Sequence, residues 1–194
     1  MSKNRGYGDD KMIEIRWHGR GGQGAVTAAV LLARAVINEG KYAQAFAEFG
    51  PERRGAPVVA FTRIDDKPIN VRCNIYNPDI VVILNPTLTS TVNVTDGLKN
   101  GGGIIINTTM QPEDIKKMMN VNGLIATVNA NKIAIEELGA PIVNTAILGS
   151  VVRATELVKI DTITAVVLER FKGKIGEKNV KAVLRAYKET QILK

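Results

Sequence analysis

The chain has 194 residues, of which 45% are hydrophobic, which is enough for a continuous core and too many for a disordered protein. Its net charge of +7 favours acidic partners such as a phosphorylated cofactor, a nucleic acid or an acidic protein surface, although a solvated basic surface explains it equally well. The single cysteine, Cys73, and the single histidine, His18, exclude an intrachain disulfide, and an iron–sulfur cluster or Cys/His zinc site built by this chain alone.

The first eleven residues are not expected to be a secretory signal. Residues 1–11 lack the apolar stretch of a secretory signal, and we expect them to form a flexible polar tail. No apolar run in the sequence approaches membrane-spanning length. Together with the lone cysteine, these features lead us to expect a cytoplasmic protein in which residues 12–194 form a single domain.

The N-terminal part predicts a strand, a turn and a helix in succession. Residues 12–17 alternate apolar and polar side chains, which is typical of a strand, and four glycines in the six residues GRGGQG (19–24) predict a turn. The following segment, 25–38, is predicted to be a helix that ends at Gly40. Its apolar positions at helical spacing are Val26, Val30, Ala33 and Ile37.

Further strands are predicted along the middle of the chain. Residues 58–64 and 68–72 flank the short turn Asp65-Asp66-Lys67 and predict an antiparallel hairpin. The three glycines at 101–103 are expected to end a helix and lead into a strand. The remaining predicted strands are residues 42–47, 80–84, 104–106 and, more weakly, 123–128; the second and third are continuous apolar runs, typical of strands buried on both faces.

The C-terminal third is predicted to be helical. Asn144 or Thr145 is expected to cap a helix that runs towards Arg153, and Asp161 to cap a helix that ends near Gly173. The buried stripe of the last helix is predicted at Val180, Val183, Leu184 and Tyr187. Because strands alternate with helices, we predict a Rossmann-like α/β fold: a doubly wound, mostly parallel sheet with helices on both faces and a β-hairpin insertion.

The glycine turn fits the pattern G-x-G-x-x-G through Gly19, Gly21 and Gly24. Such a turn lets backbone N–H groups converge on a phosphate at a helix N-terminus, and Arg20 lies within reach to assist. No Gly-Lys-Ser/Thr follows, which argues against a nucleoside triphosphatase. A dinucleotide site would need an acidic residue after the second strand, where Glu48 comes rather late. Alternatively, the glycines serve only a tight strand-to-helix turn.

The irregular segment 48–57 carries the second candidate site. Arg53 and Arg54 follow Glu52 on a loop stiffened by proline, and loops beyond the carboxyl ends of strands surround the ligand crevice of doubly wound sheets. Arginine offers the forked geometry that grips phosphate or carboxylate. In the alternative interpretation, Glu52 pairs with one arginine and the loop packs against a neighbouring subunit.

Three further segments are weaker candidates. His18 lies beside the glycine turn and is interpreted first as a structural histidine, and only second as a ligand contact. Cys73 is interpreted as a small packing residue rather than a reactive thiol. Residues 107–109 (Asn-Thr-Thr) follow a buried strand, where they either face a ligand or cap the next helix.

Several segments taken together resemble the gamma subunit, or fused gamma domain, of the 2-oxoacid:ferredoxin oxidoreductases. They are HGRGGQGAVTAAVLLARA, FGPERRGAPVVAFTRI, PDIVVILN, GGGIIIN and NTAILGSVV, followed by a terminal helix pair. The resemblance covers nearly the whole chain from Ile13 onwards. The short length and the FKGK ending are most similar to the pyruvate enzyme of the family, with the 2-oxoglutarate, 2-oxoisovalerate and indolepyruvate enzymes as alternatives.

The resemblance implies a cytoplasmic heteromeric enzyme that converts a 2-oxoacid, most often pyruvate, to an acyl-CoA and CO2 and reduces ferredoxin. It implies alpha, beta and delta partner subunits that hold the thiamine diphosphate and the [4Fe-4S] clusters. This chain would then perform no catalytic step, but would close the active-site region and help bind coenzyme A.

Mapped onto this sequence, the resemblance implies that Gly21, Gly22, Gln23 and Gly24, together with Arg53 and Arg54, lie near the phosphates of coenzyme A. Two alternatives stay open. One is a free-standing NAD(P)-dependent oxidoreductase that uses the glycine pattern, and the other is a purely structural assembly subunit. A nucleic-acid-binding role ranks last, because the basic residues match no groove-reading motif.

Overall fold

The computed structural model describes residues 12–48 and 55–194, which form one seven-stranded sheet in the order β2-β3-β1-β4-β5-β6-β7. The strands are β1 (Ile13–Arg20), β2 (Tyr42–Glu48), β3 (Pro57–Asp65), β4 (Ile80–Ile83), β5 (Gly103–Asn107), β6 (Ile125–Val128) and β7 (Gln191–Leu193). The predicted tail at residues 1–11 and the arginines Arg53 and Arg54 lie outside the described residues.

The centre of the sheet is parallel. β1 pairs with β4, β4 with β5 and β5 with β6 in parallel, whereas β3 and β7 run antiparallel to their neighbours. Since β2 is antiparallel to β3, it runs in the same direction as β1, so five of the seven strands share one direction. The prediction of a doubly wound, mostly parallel α/β sheet is therefore confirmed.

Six helices accompany this sheet in the described part of the chain, three of them in contact with its strands and three packed mainly on other helices. They are α1 (Ala25–Asn38), α2 (Pro112–Met119), α3 (Ala130–Leu138), α4 (Asn144–Thr155), α5 (Ile160–Arg170) and α6 (Gly173–Glu189), with a short 3-10 helix at Pro86–Ser90. None of the helices in these ranges is long and apolar enough to cross a membrane.

Both faces of the parallel strands are buried, as their continuous apolar sequences predict. On β4 and β5, Val82 and Ile105 point into the larger core beneath α1 and α3–α6. Their neighbours Val81 and Ile104 point into a smaller core that is closed by α2 and the 3-10 helix. Side chains alternate between the two faces because successive residues of a strand point in opposite directions.

Two predicted elements are wrong. The hairpin partner at residues 68–72 is not a strand; β3 instead forms its antiparallel hairpin with β2, across the loop that contains Arg53 and Arg54. The segment before the glycines at 101–103 consists of turns, with no helix beyond Pro86–Ser90. The first error arose because the turn at residues 65–67 was assigned to the apolar run that follows it, although β3 pairs with the strand before it. The second arose because the glycines were interpreted as the end of a helix, although glycines also occur in turns.

The strand–turn–helix unit at the N-terminus is confirmed with altered details. β1 continues through Gly19 and Arg20, so the turn itself is shorter than predicted. Helix α1 has the predicted bounds, but its buried face runs through Ala28, Leu32 and Val36. Of the predicted stripe, Ala33 is buried and Val26 packs against the core, whereas Val30 is 39% and Ile37 51% exposed. The sequence carries two apolar stripes on this helix, and periodicity alone does not rank them.

The C-terminal helices also differ in detail from the predictions. Neither Asn144 nor Thr145 caps α4 through its side chain, because the N-cap is Val143. Asp161 lies in the first turn of α5 rather than at its cap. The face of α6 that is buried contains small residues, Gly176, Ala182 and Ala186, beside the predicted Val183, whereas Leu184 is 38% exposed. Small residues allow α4 and α6 to approach closely.

Candidate functional site

The glycine turn joins the carboxyl end of β1 to the amino end of α1. Gly22 and Gly24 adopt left-handed backbone conformations with φ of 94° and 79°, which side chains disfavour. Gly24 is the N-cap of α1, and a Cβ placed on it would lie 2.5 Å from Nδ2 of Asn144. The left-handed backbone and the close approach of Asn144 therefore both require glycine at position 24.

The side chain of Gln23 closes this turn. Its Oε1 accepts a hydrogen bond from the backbone amide of Arg20 at 2.8 Å, while its own backbone amide donates to the carbonyl of Arg20 at 3.0 Å. These two hydrogen bonds fix the turn as a compact loop. The Gln23 side chain thus stabilises the turn, and the groups left to contact a ligand are the neighbouring backbone amides.

Several backbone amides of the turn donate no hydrogen bond within the described chain. Within residues 12–48 and 55–194, no acceptor reaches the N–H groups of Gly22, Gly24 and Ala25. The amino end of a helix carries partial positive charge, which adds to these donors. Free N–H groups at a helix amino end form a binding site for an anion such as a phosphate.

Arg20 connects the turn to the end of the second predicted site. The amide of Gly21 donates to the carbonyl of Ala56 at 2.9 Å, and Nη1 of Arg20 donates to the carbonyl of Gly55 at 3.1 Å. On its other side, Nη2 of Arg20 donates to Oγ1 of Thr87 at 3.1 Å. The structure therefore brings the carboxyl end of the 50s loop to the glycine turn.

The prediction that a shared site also contains Arg53 and Arg54 concerns residues outside the described ranges. What the structure does define is the point where their loop rejoins the sheet. Gly55 and Ala56 are one and two residues beyond Arg54, and both hydrogen-bond to the turn.

His18 is a structural histidine, as the first interpretation held. It is 6% exposed, and its Nε2 accepts a hydrogen bond at 3.1 Å from Nε of Arg16, which in turn donates to the carbonyl of Val94. Burial, followed by the nearby charge of Arg16, lowers the pKa of His18 to about 4. His18 is therefore neutral at physiological pH and holds Arg16 in place beneath the loop at 93–97.

The other two weak candidates are also resolved. The Asn107 side chain is buried: it donates to the carbonyl of Leu84 at 2.8 Å and accepts from the amide of Asn131 at 3.3 Å, so it joins neighbouring elements rather than facing a ligand. Cys73 is exposed, so its interpretation as a packing residue is wrong. Its backbone carbonyl accepts a hydrogen bond from buried Arg63 at 2.8 Å.

The topology argues against a dinucleotide site of the Rossmann type. The strand beside β1 on that side is the antiparallel β3, and β2, which ends at Glu48, lies at the edge of the sheet. Glu48 is thus two strand spacings, roughly 10 Å, from the strand that enters the glycine turn. An acidic residue that contacts a ribose on the turn would have to follow the neighbouring strand.

Two residues of this region escaped the sequence analysis. Thr87, which accepts a hydrogen bond from Arg20, lies in the first turn of the 3-10 helix and is itself bonded to Asn85, the N-cap of that helix shortly after β4. Asn144, which contacts Gly24, was considered only as a helix cap. The sequence NPT after a buried strand does signal a short helix at the ligand-facing edge of the sheet, but contact between Asn144 and Gly24 depends on the packing of α4 against α1.

Comparison with known proteins gives a consistent result. The family model described as "Pyruvate ferredoxin/flavodoxin oxidoreductase" matches residues 14–189. The pyruvate/ketoisovalerate oxidoreductases common subunit gamma of Thermococcus kodakarensis is 57% identical over 182 residues, which is 93% of this chain and 98% of that relative. The pyruvate synthase subunit PorC of Methanocaldococcus jannaschii is 52% identical over 178 residues, which is 92% of this chain and 97% of that relative.

A solved structure agrees with both relatives. The crystal structure of the pyruvate oxidoreductase subunit PORC from Thermotoga maritima superposes with a TM-score of 0.86 at 39% sequence identity, and the match covers 95% of this chain and all of that one. The likeness therefore extends over the whole sheet and its helices.

Proposed function

The chain belongs to the pyruvate ferredoxin/flavodoxin oxidoreductase family as a gamma subunit, and from that premise we propose that its own contribution to the enzyme is to hold the phosphates of coenzyme A at the glycine turn. Residues Gly21, Gly22, Gln23 and Gly24 form the turn, and Arg53 and Arg54 would complete the site from the adjoining loop. The enzyme oxidatively decarboxylates a 2-oxoacid, pyruvate in the first instance, and reduces ferredoxin.

One observation carries this proposal. The glycine turn offers N–H groups without acceptors in the described chain, at the amino end of α1, and the loop that bears Arg53 and Arg54 rejoins the sheet at hydrogen-bonding distance from it. Coenzyme A carries several phosphates, and both backbone amides and guanidinium groups bind phosphate well. The net charge of +7 also favours an acidic ligand.

The remaining parts of the reaction belong to partner subunits. We propose that alpha, beta and delta chains hold the thiamine diphosphate and the [4Fe-4S] clusters, and that ferredoxin accepts the electrons from the assembled enzyme. Thiamine diphosphate supplies the carbanion chemistry of decarboxylation when it is bound there. This chain positions the acyl acceptor, coenzyme A, and shields the reaction from water.

Structural observations argue against each of the two alternatives. A free-standing NAD(P)-dependent enzyme is disfavoured by the antiparallel β3 beside β1 and by the position of Glu48 at the sheet edge. If the subunit were purely structural, any tight turn would serve at this position. That alternative does not explain why the amides of Gly22 and Gly24 have no acceptor in the described ranges.

The test is the steady-state KM for coenzyme A of the assembled enzyme, with three substitutions compared. Arg20→Met and the double substitution of Arg53 and Arg54 to Ala are expected to raise this KM about tenfold or more, because a charged hydrogen bond contributes roughly 1.5–3 kcal/mol. The matched control is Arg34→Met on the exposed side of α1, which should leave the KM unchanged. An unchanged KM in all three variants would support the purely structural alternative.

A further inference from the structure

A cavity of about 280 Å³ lies beside the glycine turn. It is bounded by the chain that connects α3 to α4 and by the junction of α5 and α6. Its walls are mostly carbon, from side chains that include Ile142, Phe171 and Ile175, and its polar groups come from Asn144, Lys178 and Asn179. A cavity of this size, apolar with a few polar groups, is typical of a small-molecule site.

Asn144 borders both the cavity and the glycine turn. It lines the cavity, and its side chain lies so close to Gly24 that a Cβ there would be 2.5 Å from Nδ2. A molecule bound to the amides of the turn can therefore reach the cavity directly past this one side chain. Asn144 is therefore the residue that the cavity and the glycine turn share.

The amide group of Asn144 lacks part of its hydrogen bonding. The residue is 6% exposed, and its Oδ1 accepts from the amide of Thr145 at 2.9 Å, but Nδ2 meets no acceptor in the part of the chain that the structure describes. Asn179, which lines the same cavity, accepts a hydrogen bond from Thr145 and donates one to the carbonyl of Ile175. Among the described residues, the only buried side-chain atom without a hydrogen-bond partner is Oγ of Ser150, so Nδ2 of Asn144 keeps some accessible surface and is a donor available to a ligand.

On the basis of the proposed function, we infer that this cavity receives the adenine ring of the coenzyme A whose phosphates bind at the glycine turn. The ring's flat faces suit the apolar walls and Phe171, and its edge nitrogens are acceptors for Nδ2 of Asn144, in the way that asparagine pairs with adenine elsewhere. The flexible pantetheine arm has to carry its thiol to thiamine diphosphate in the partner subunits. The base is the end of the molecule that stays on this chain.

The experiment uses the assembled enzyme and two fragments of coenzyme A as inhibitors. Adenosine 3′,5′-bisphosphate contains the base without the arm, and 4′-phosphopantetheine contains the arm without the base. The variants are Ala140→Trp, which fills the cavity from the half-buried α3–α4 connection, and Asn144→Ala, which removes the donor. The control is Ile135→Trp, at a position of α3 that is 54% exposed and does not line the cavity.

Both cavity variants are expected to raise the KM for coenzyme A and the Ki of adenosine 3′,5′-bisphosphate by a similar factor, about tenfold, in line with the loss of one stacked base. The Ki of 4′-phosphopantetheine and all constants of the control should not change. The inference is overturned if the Ki of the bisphosphate is unaffected, or if that of 4′-phosphopantetheine rises instead.

Two further outcomes separate this inference from the proposed function. If Arg20→Met raises the KM for coenzyme A but neither cavity variant does, the phosphate site stands and the adenine site falls. If none of these variants alters that KM, both fall. Failure of Ala140→Trp, but not of Ile135→Trp, to assemble with the partner subunits would show that a protein surface fills the cavity, which also overturns the inference.

Discussion

The burial of His18 makes a quantitative prediction about the pH dependence of folding. The imidazole accepts a hydrogen bond from Arg16 and is 6% exposed, so protonation would place a second cation beside a buried guanidinium. Burial and Arg16 lower the pKa of His18 from 6.5 to about 4. Between these two pH values the unfolded chain binds a proton at His18 that the folded chain does not bind.

The direction in which stability changes with pH follows from this difference in proton binding. The contribution of neutral His18 is fully present above pH 6.5 and is lost progressively as the pH falls towards 4, because the proton stabilises only the unfolded chain. The gap between the two pKa values corresponds to about 3 kcal/mol of unfolding free energy, since one pKa unit corresponds to about 1.4 kcal/mol.

Denaturant unfolding at several pH values from 7.5 down to 4, on the wild-type chain and on His18→Gln, measures this contribution. Glutamine does not titrate, and its Oε1 can accept the hydrogen bond of Arg16. Carboxyl groups that titrate in this range affect both proteins alike, so the comparison isolates His18. We expect the wild type to lose about 3 kcal/mol more than the variant. Equal losses in both proteins would refute this description of His18.

Four other substitutions test packing. The Cβ added by Gly22→Ala would lie in open space, so this substitution should cost only the backbone strain of about 1–2 kcal/mol. Gly24→Ala should cost clearly more, because its Cβ would also clash with Asn144. Equal losses of stability in thermal unfolding would contradict that contact. Ser150→Ala removes a buried hydroxyl that has no partner among the described residues, so the unfolding free energy should stay the same or rise by about 1 kcal/mol, and a clear loss would reveal a missed partner. Arg63→Met should lower the free energy of unfolding by about 3–5 kcal/mol, because Glu14 and the carbonyl of Cys73 would lose the buried guanidinium that donates to them. A loss under about 1 kcal/mol would contradict a stabilising contribution of these contacts.

The parts of the fold that were predicted correctly are those with strong local signals. β4 and β5 are continuous apolar runs, and α1 follows a cluster of glycines that permits only a turn. The pairing of β3 could not be predicted from such local signals. Its sequence fits equally well with a short hairpin partner after Asp65 or with β2, which directly precedes it, and the more distant β1, and only the complete sheet decides between them.

Only the local part of the candidate site was predicted from the sequence. The turn itself is a local feature, and its conformation follows from Gly22 and Gly24. The contacts that give it a chemical setting are not local: Arg20 reaches Thr87, and Asn144 reaches Gly24 across more than a hundred residues. Nothing in the spacing of Asn144 distinguishes it from an ordinary residue at the start of a helix.

The most direct test of the phosphate site is an electron cryomicroscopy structure of the assembled enzyme with coenzyme A bound. We expect the diphosphate of coenzyme A within hydrogen-bonding distance, roughly 3 Å, of the backbone amides of Gly22, Gly24 and Ala25. The contrary result would be coenzyme A phosphates bound entirely by other subunits, with the glycine turn facing a partner's backbone.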